Sequence, residues 1–370
     1  MTTPYFQDVH DRIRSYGGFL NAHLHLDRAG TFHPTLDLLR KAGIMQESSL
    51  SLSRKHAIIP LVHASECYEV GSLYARVEPF LLSMIEVGTA RADTVVDTTC
   101  DRVGLTAIET FTHLKATYAG RIDLRIGAYS PLGFRDDEPQ RWELLEEGAA
   151  LADFIGLLPE RDDTADYPEH MGFQESCRRG LSLAHRLGKQ IHIHVDQANH
   201  CYESGAELVA DIAESMGLGL PAVEEPLIWL IHVISPSAYD EERFDRLARK
   251  LAALNIGVIC CPGAALSMRQ YRPFSTPTHN SIARVLEFVA AGVQVRLGSD
   301  NVCDITSPMG TVNLMDEVRS LGDATRYYDV DFLARMAAGL RPDAPGLESL
   351  RSHLAENQVS VDAVVRRYKP

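Results

Sequence analysis

Short apolar runs alternate with longer stretches of mixed polarity along most of this chain. Eight of them read as strands: 19–26 (FLNAHLHL), 94–99 (TVVDTT), 122–130 (IDLRIGAYS), 152–159 (ADFIGLLP), 190–197 (QIHIHVDQ), 227–234 (LIWLIHVI), 256–262 (IGVICCP) and 293–300 (VQVRLGSD). The runs are near-continuously apolar, as strands are when both faces of a parallel sheet are covered. Helices are predicted over 104–119, 172–188, 202–217, 239–254 and 280–291. Gly188 is a natural stop for the second. The acids of PSAYDEE (236–242) open the fourth, where the helix dipole favours negative charge. Repeated strand–helix units predict an α/β fold, a (β/α)8 barrel of the TIM type, with a doubly wound open sheet as the alternative. The barrel is preferred because the polar residues discussed below all fall at strand C-termini. Two connections are long: 27–64, with several loop-like stretches, and 263–279, rich in Pro, Arg and Ser. Long βα loops form a barrel's mouth and carry its specificity. Residues 1–322 are read as the barrel domain and 323–370 as a helical extension packed on it, with a Pro/Gly-containing link near 340–346.

Composition narrows the class. A chain of 370 residues exceeds an average domain, but one barrel routinely takes about 250 or more. A net charge of -14 argues against a nucleic-acid partner, which requires clustered Lys and Arg. Seven cysteines, an odd number without a CxxC, argue against a disulfide framework and against cysteine-ligated zinc. The first residues, MTTPYFQDVHDRIRSYGG, hold no apolar signal core, and no apolar run is long enough to span a membrane. A cytoplasmic protein acting on a small molecule is the expectation.

The chemistry gathers at strand ends. In Asn21-Ala22-His23-Leu24-His25-Leu26-Asp27, the two histidines stand two apart on a strand and project to one side. Paired neutral imidazoles are natural metal ligands, although such a pair alone is weak evidence. The fifth strand ends in His194, with His192 one layer deeper as a hydrogen-bonded core residue. The sixth ends in His232, and the eighth leads into Asp300-Asn301. Each has a plainer reading: His232 as a core histidine, Asp300 as a turn or helix cap. Together they are hard to produce by chance.

This set resembles the amidohydrolase superfamily, whose mark is HxH on strand one, His on strands five and six, and Asp on strand eight. Within it the chain is similar to the cytosine deaminases and N-isopropylammelide isopropylaminohydrolase, with HIHVDQ, NIGVICCP and LGSDNVCD in the expected order from about Gly18 to about residue 320. The resemblance implies that His23, His25, His194 and Asp300 bind one divalent metal, zinc first and iron second, with His232 beside the activated water. A second metal would need a lysine on strand four, and ADFIGLLPER has none. It further implies that Asp300 carries the water's proton to the leaving nitrogen and that His232 polarises the substrate.

The chain also departs from that pattern. Gln197 stands where cytosine deaminases carry a proton-shuttling Glu, and Gln cannot shuttle a proton. Tyr129-Ser130-Pro131-Leu132-Gly133 stands where their substrate-reading Gln would be, and Asn301 replaces a second Asp. These changes argue against cytosine as substrate. Arg28, in HLHLDR, reads as a binder of carbonyl or carboxylate oxygens, or else as a salt-bridge partner of Asp27 or a loop carboxylate. Gln197, Arg28 and Asn301, with Asp304 and His279 as weaker members, are the expected substrate-reading set; Asp304 and His279 read first as cap or loop residues. About 18 residues precede the first strand, so the β-sandwich flanking the family's barrel is expected to be reduced or absent, with a homo-oligomer covering the trimmed barrel by analogy alone. The leading expectation is hydrolysis of a C–N bond in a small nitrogen heterocycle, cyclic amide or amidine. A lactone or ester hydrolase on the same barrel, and a non-catalytic binding homologue, are the alternatives.

Overall fold

The computed structural model describes residues 3–41, 43, 52–218, 225–267 and 281–368. Eight strands follow one another around a single parallel sheet: β1 (Phe19–Leu24), β2 (Thr89–Asp97), β3 (Asp123–Tyr129), β4 (Phe154–Leu157), β5 (Ile191–Val195), β6 (Ile228–His232), β7 (Gly257–Cys260) and β8 (Val295–Leu297). The sheet closes where β8 meets β1, through a parallel bridge between Leu24 and Asp300. His25 N–H donates to the Asp300 carbonyl at 3.2 Å and Asp300 N–H to the His23 carbonyl at 3.0 Å. Backbone closure and candidate chemistry therefore coincide. All strands among the described residues belong to this (β/α)8 barrel, as the apolar runs predict.

Helices wrap the sheet: α1 (Pro4–Ser15), α2 (Phe32–Lys41), α3 (Leu52–His63), α4 (Val70–Val87), α5 (Thr106–Thr117), α6 (Gln140–Leu151) and α7 (Phe173–Leu187). After these come α8 (Gly205–Ser215), α9 (Glu241–Ala253), the short α10 (Pro262–Leu266), α11 (Val285–Ala290), α12 (Leu314–Thr325), α13 (Val330–Ala337) and α14 (Ala344–Tyr368). The main core lies between strands and helices, while smaller clusters fill the barrel itself: Ala22, Trp229, Ile231, Ile259 and Cys261 in one, Val95, Tyr129, Phe154 and Leu158 in the other. Gly257 makes room for the indole of Trp229: a Cβ there would lie 2.4 Å from the ring.

The described residues of the long connection after β1 include α2 and α3, where the sequence suggested loop-like stretches. Leu39 of α2 and Ile58, Ile59 and Val62 of α3 are buried, which folds this segment over the barrel mouth. At the other end α13 packs on α1, and α12 continues through residue 322, across the expected domain boundary. Leu350 of α14 is buried, whereas Val359, Val361, Val364 and Val365 further along it are exposed. Among the described residues no helix is long and apolar enough to cross a membrane.

Candidate active site

The strand ends at the C-terminal mouth bring four predicted ligands together. One ligating atom each from His23, His25, His194 and Asp300 lies within 4.8 Å of the others, and all four residues are buried. His23 Nε2 is 3.0 Å from His194 Nε2 and 3.7 Å from Asp300 Oδ1, and His25 Nε2 is 3.3 Å from Asp300 Oδ1. A tetrahedral zinc at its usual ligand distances sets neighbouring ligand atoms roughly 3.3 Å apart. The donor set thus fits a divalent cation in both chemistry and spacing. His194 Nδ1 donates to the Leu157 carbonyl at 3.1 Å, which fixes the tautomer and leaves the Nε2 lone pair facing the centre.

Electrostatics point the same way. Burial, then the neighbouring imidazoles, pushes His23 and His194 well below the ordinary histidine value, so both are neutral ligands at neutral pH. Burial would raise Asp300, but the hydrogen bond from His25 and the surrounding histidines hold it below the usual carboxylate range. His232 is lowered by burial and places Nε2 4.0 Å from Asp300 Oδ2, on the side away from His25. Backbone at these strand ends is strained: φ is +60° at Asp196, +75° at His232, +49° at Val233 and +58° at Asp300. Such values in non-glycine residues cluster at functional sites.

The expected substrate-reading residues are placed unequally. Gln197 follows β5 and donates from Nε2 to Glu160 Oε2 at 2.7 Å. Arg28 is held by Asp97 at the end of β2, through Nε at 2.9 Å and Nη2 at 2.6 Å, and not by Asp27. Its guanidinium lies 5.6 Å over the Tyr129 ring, and that ring in turn sits 5.3 Å from the rings of both His25 and His194. Asn301 donates to Asp304 at 2.6 Å; Asp304 also accepts from Thr306 N, Thr306 Oγ1 and Ser307 N, and so organises its own turn. Arg28 and Asp304 both line a cavity of about 20 Å3 beneath α3, room for about one water. His279 lies outside the described residues. His192 packs on Phe154 at 4.3 Å in the deeper layer, and its buried Nδ1 has no hydrogen-bond partner.

Several residues escape the sequence reading. His63 of α3 lies 2.9 Å from Asp97 through Nε2 and 2.6 Å from Asp101 through Nδ1. Burial opposes charge on this ring, yet the two carboxylates hold its pKa up at about 9. Tyr68 Oη lies 2.8 Å from Asp97 and 2.9 Å from Asp27. His56, also on α3, is pushed down to about 3 by burial and by the charges of Arg28 and Arg161. The available signals are position alone: Asp97 lies in the second half of the predicted strand 94–99, and Glu160 directly follows the predicted strand 152–159.

The fold is shared with solved deaminases and hydrolases. 5-Methylcytosine deaminase from Klebsiella pneumoniae, liganded with 5-fluorocytosine, superposes with a TM-score of 0.73 at 23% identity, covering 88% of this chain and 74% of that one. N-isopropylammelide isopropylaminohydrolase from Burkholderia multivorans gives a TM-score of 0.65 at 19% identity, covering 91% and 82%. An uncharacterised protein of Haemophilus influenzae is 28% identical over 283 residues, 76% of this chain and 94% of its own length. No family model matches the chain.

Proposed function

We propose that this protein is a mononuclear metal-dependent hydrolase of the amidohydrolase superfamily, cleaving a C–N bond of a small nitrogen heterocycle, cyclic amide or amidine. The observation that carries the reading is the buried group of His23, His25, His194 and Asp300 at the barrel mouth. These residues would hold one divalent ion, zinc before iron, which would supply Lewis acidity and an activated water near neutral pH. Asp300 turns Oδ1 to His25 and has Oδ2 available to accept the water's proton and pass it to the departing nitrogen. His232, neutral and next to Oδ2, hydrogen-bonds the substrate atom on which charge develops. Tyr129 offers an aromatic wall beside His25 and His194, suited to a flat ring. Gln197, Asn301 and Arg28 supply the polar groups that read the substrate, Arg28 being held by Asp97 and lying over Tyr129. Asp304 sets the position of Asn301.

The test is metal content followed by product analysis. Protein purified without chelators is expected to carry about one zinc or iron per chain, and His194→Ala to carry little. A panel including 5-methylcytosine, N-isopropylammelide and cyclic amides is then screened for released ammonia or amine. A protein that neither holds nor takes up zinc overturns the reading; hydrolysis confined to esters or lactones transfers it to the alternative chemistry.

A further inference from the structure

Glu160 stands directly after β4, on the short turn Pro159–Asp162. It and Gln197 both lie just beyond the ends of the adjacent strands β4 and β5. Leu157, three residues before Glu160, supplies the carbonyl that orients the ligand His194, and Gln197 follows His194 by three. The Gln197 amide donates to Glu160 Oε2 at 2.7 Å, while Glu160 Oε1 is buried with no hydrogen-bond partner. An ionised carboxylate with one buried, unsolvated oxygen is costly, whereas a neutral carboxylic acid keeps an O–H for an arriving acceptor.

The surroundings say which acid of this region holds the proton. Glu203 accepts from Ala198 N–H at 2.8 Å and from the Ser235 hydroxyl. Asp196 accepts from Gly205 and Ala206 N–H, at 2.6 and 3.0 Å, in the first turn of α8. These bonds favour the anions, although burial raises both acids, and Gln197 in turn favours ionised Glu160 through its side chain and backbone. Burial, then the nearby charges of Glu203 and Asp196, pushes Glu160 well above the usual carboxylate range. From α7, Cys177 is the remaining titratable neighbour; burial raises its thiol, which is therefore neutral.

From this geometry we infer that Glu160 is the general acid of the site, performing from the end of β4 the proton transfer that Gln197 cannot perform from the end of β5. The inference rests on the C–N hydrolase reading above. Glu160 gives its proton to a nitrogen of the substrate, making the adjacent carbon electrophilic. Water adds to that carbon, one of its protons passing to Asp300 and on to the departing nitrogen. The C–N bond breaks, the new C–O–H becomes a carbonyl, and its proton returns to Glu160. Water is the only co-reactant. Gln197 is a positioning residue, holding Oε2 while Oε1 keeps no protein partner.

The experiment joins spectroscopy to kinetics on the full chain. Infrared difference spectra of metal-free wild type and Glu160→Gln at neutral pH are expected to show a protonated-carboxylic-acid band in the wild type that the variant lacks. With the panel member that wild type hydrolyses fastest, E160Q is expected to lose at least about 100-fold in kcat, with little change in KM, unchanged zinc content and loss of the alkaline limb of the pH profile. A band that persists in E160Q, or a variant that keeps its alkaline limb and turns over within a few-fold of wild type, overturns the assignment. If wild type shows the band but hydrolyses nothing in the panel, the hydrolase reading fails and the catalytic role falls with it, while the protonation of Glu160 stands.

Discussion

Asp97 is the residue on which the cationic flank of the site hangs, and Asp97→Asn tests that reasoning quantitatively. Its carboxylate is fully buried and accepts two hydrogen bonds from Arg28 while bonding to His63 and Tyr68. Burial alone would raise it, but Arg28 and His63 hold it far below the usual carboxylate range. Asparagine keeps the shape and removes the charge, leaving Arg28 and protonated His63 without their shared counter-ion. Breaking a buried pair in this way costs about 3–5 kcal/mol. The pH dependence is more diagnostic. His63 is raised from 6.5 to about 9, so the stability linked to its proton is fully present below pH 6.5 and is lost as pH rises through about 9. That shift corresponds to roughly 3 kcal/mol at most, and Asp101, 2.6 Å from Nδ1, retains part of it in the variant. Urea unfolding of both proteins, followed by circular dichroism across this pH range, should show a gap of about 3–5 kcal/mol below pH 6.5 that narrows by about 1–3 kcal/mol above pH 9. A gap under about 1 kcal/mol, or one that stays constant with pH, would refute the ion-pair account.

Two further substitutions probe the metal and acid sides. A Cβ at Gly298 would lie 2.8 Å from His23 Cβ and 2.9 Å from the His23 backbone N and O, so Gly298→Ala should destabilise by about 1–3 kcal/mol and weaken zinc binding. Wild-type zinc affinity in a titration of G298A would contradict the close approach at the seam. Gln197→Glu sets a second carboxylate against Glu160, and the two would share one proton. Turnover should fall and the urea midpoint should drop; a rise in turnover with unchanged selectivity would show that Gln197 is not adapted to its neighbour.

The strands were legible because burial on both faces leaves near-continuous apolar runs, and the His/Asp cluster because spacing sets His23 and His25 on one side while the family resemblance pointed to His194 and Asp300. Boundaries were less so. β2 begins at Thr89 rather than 94, since Arg91 and Asp93 satisfy one another through two hydrogen bonds at 2.8 Å and allow polar residues into the strand. β8 ends at Leu297: Gly298 still donates to the Cys260 carbonyl of β7 at 3.0 Å, but Ser299 N–H turns to the Asn21 side chain. The partners of Arg28 and Gln197 were hidden for another reason: Asp97 lies 69 residues from Arg28 and Glu160 lies 37 from Gln197, so only barrel closure makes them neighbours. A one-dimensional pattern shows which end of a strand a polar residue occupies. It does not show which residue on the next strand answers it.

Those hidden partners give the site a polarity. On the β1–β2 side Arg28 and His63 share Asp97; on the β4–β5 side Glu160 crowds against Glu203 and Asp196. The first flank holds donors paired with carboxylates, Arg28 and His63 with Asp97 and Asp101, whereas the second is a cluster of acids around Gln197. A substrate spanning both would turn its carbonyl-type oxygen toward the first and a proton-accepting nitrogen toward the second, and cyclic amides and oxo-substituted heterocycles present that pair of groups. Strain at Asp196, His232, Val233 and Asp300, each costing on the order of 1–3 kcal/mol, would relax in a protein with no use for the geometry. Its persistence at adjoining strand ends, together with an intact ligand set, favours a working enzyme over a binding relic.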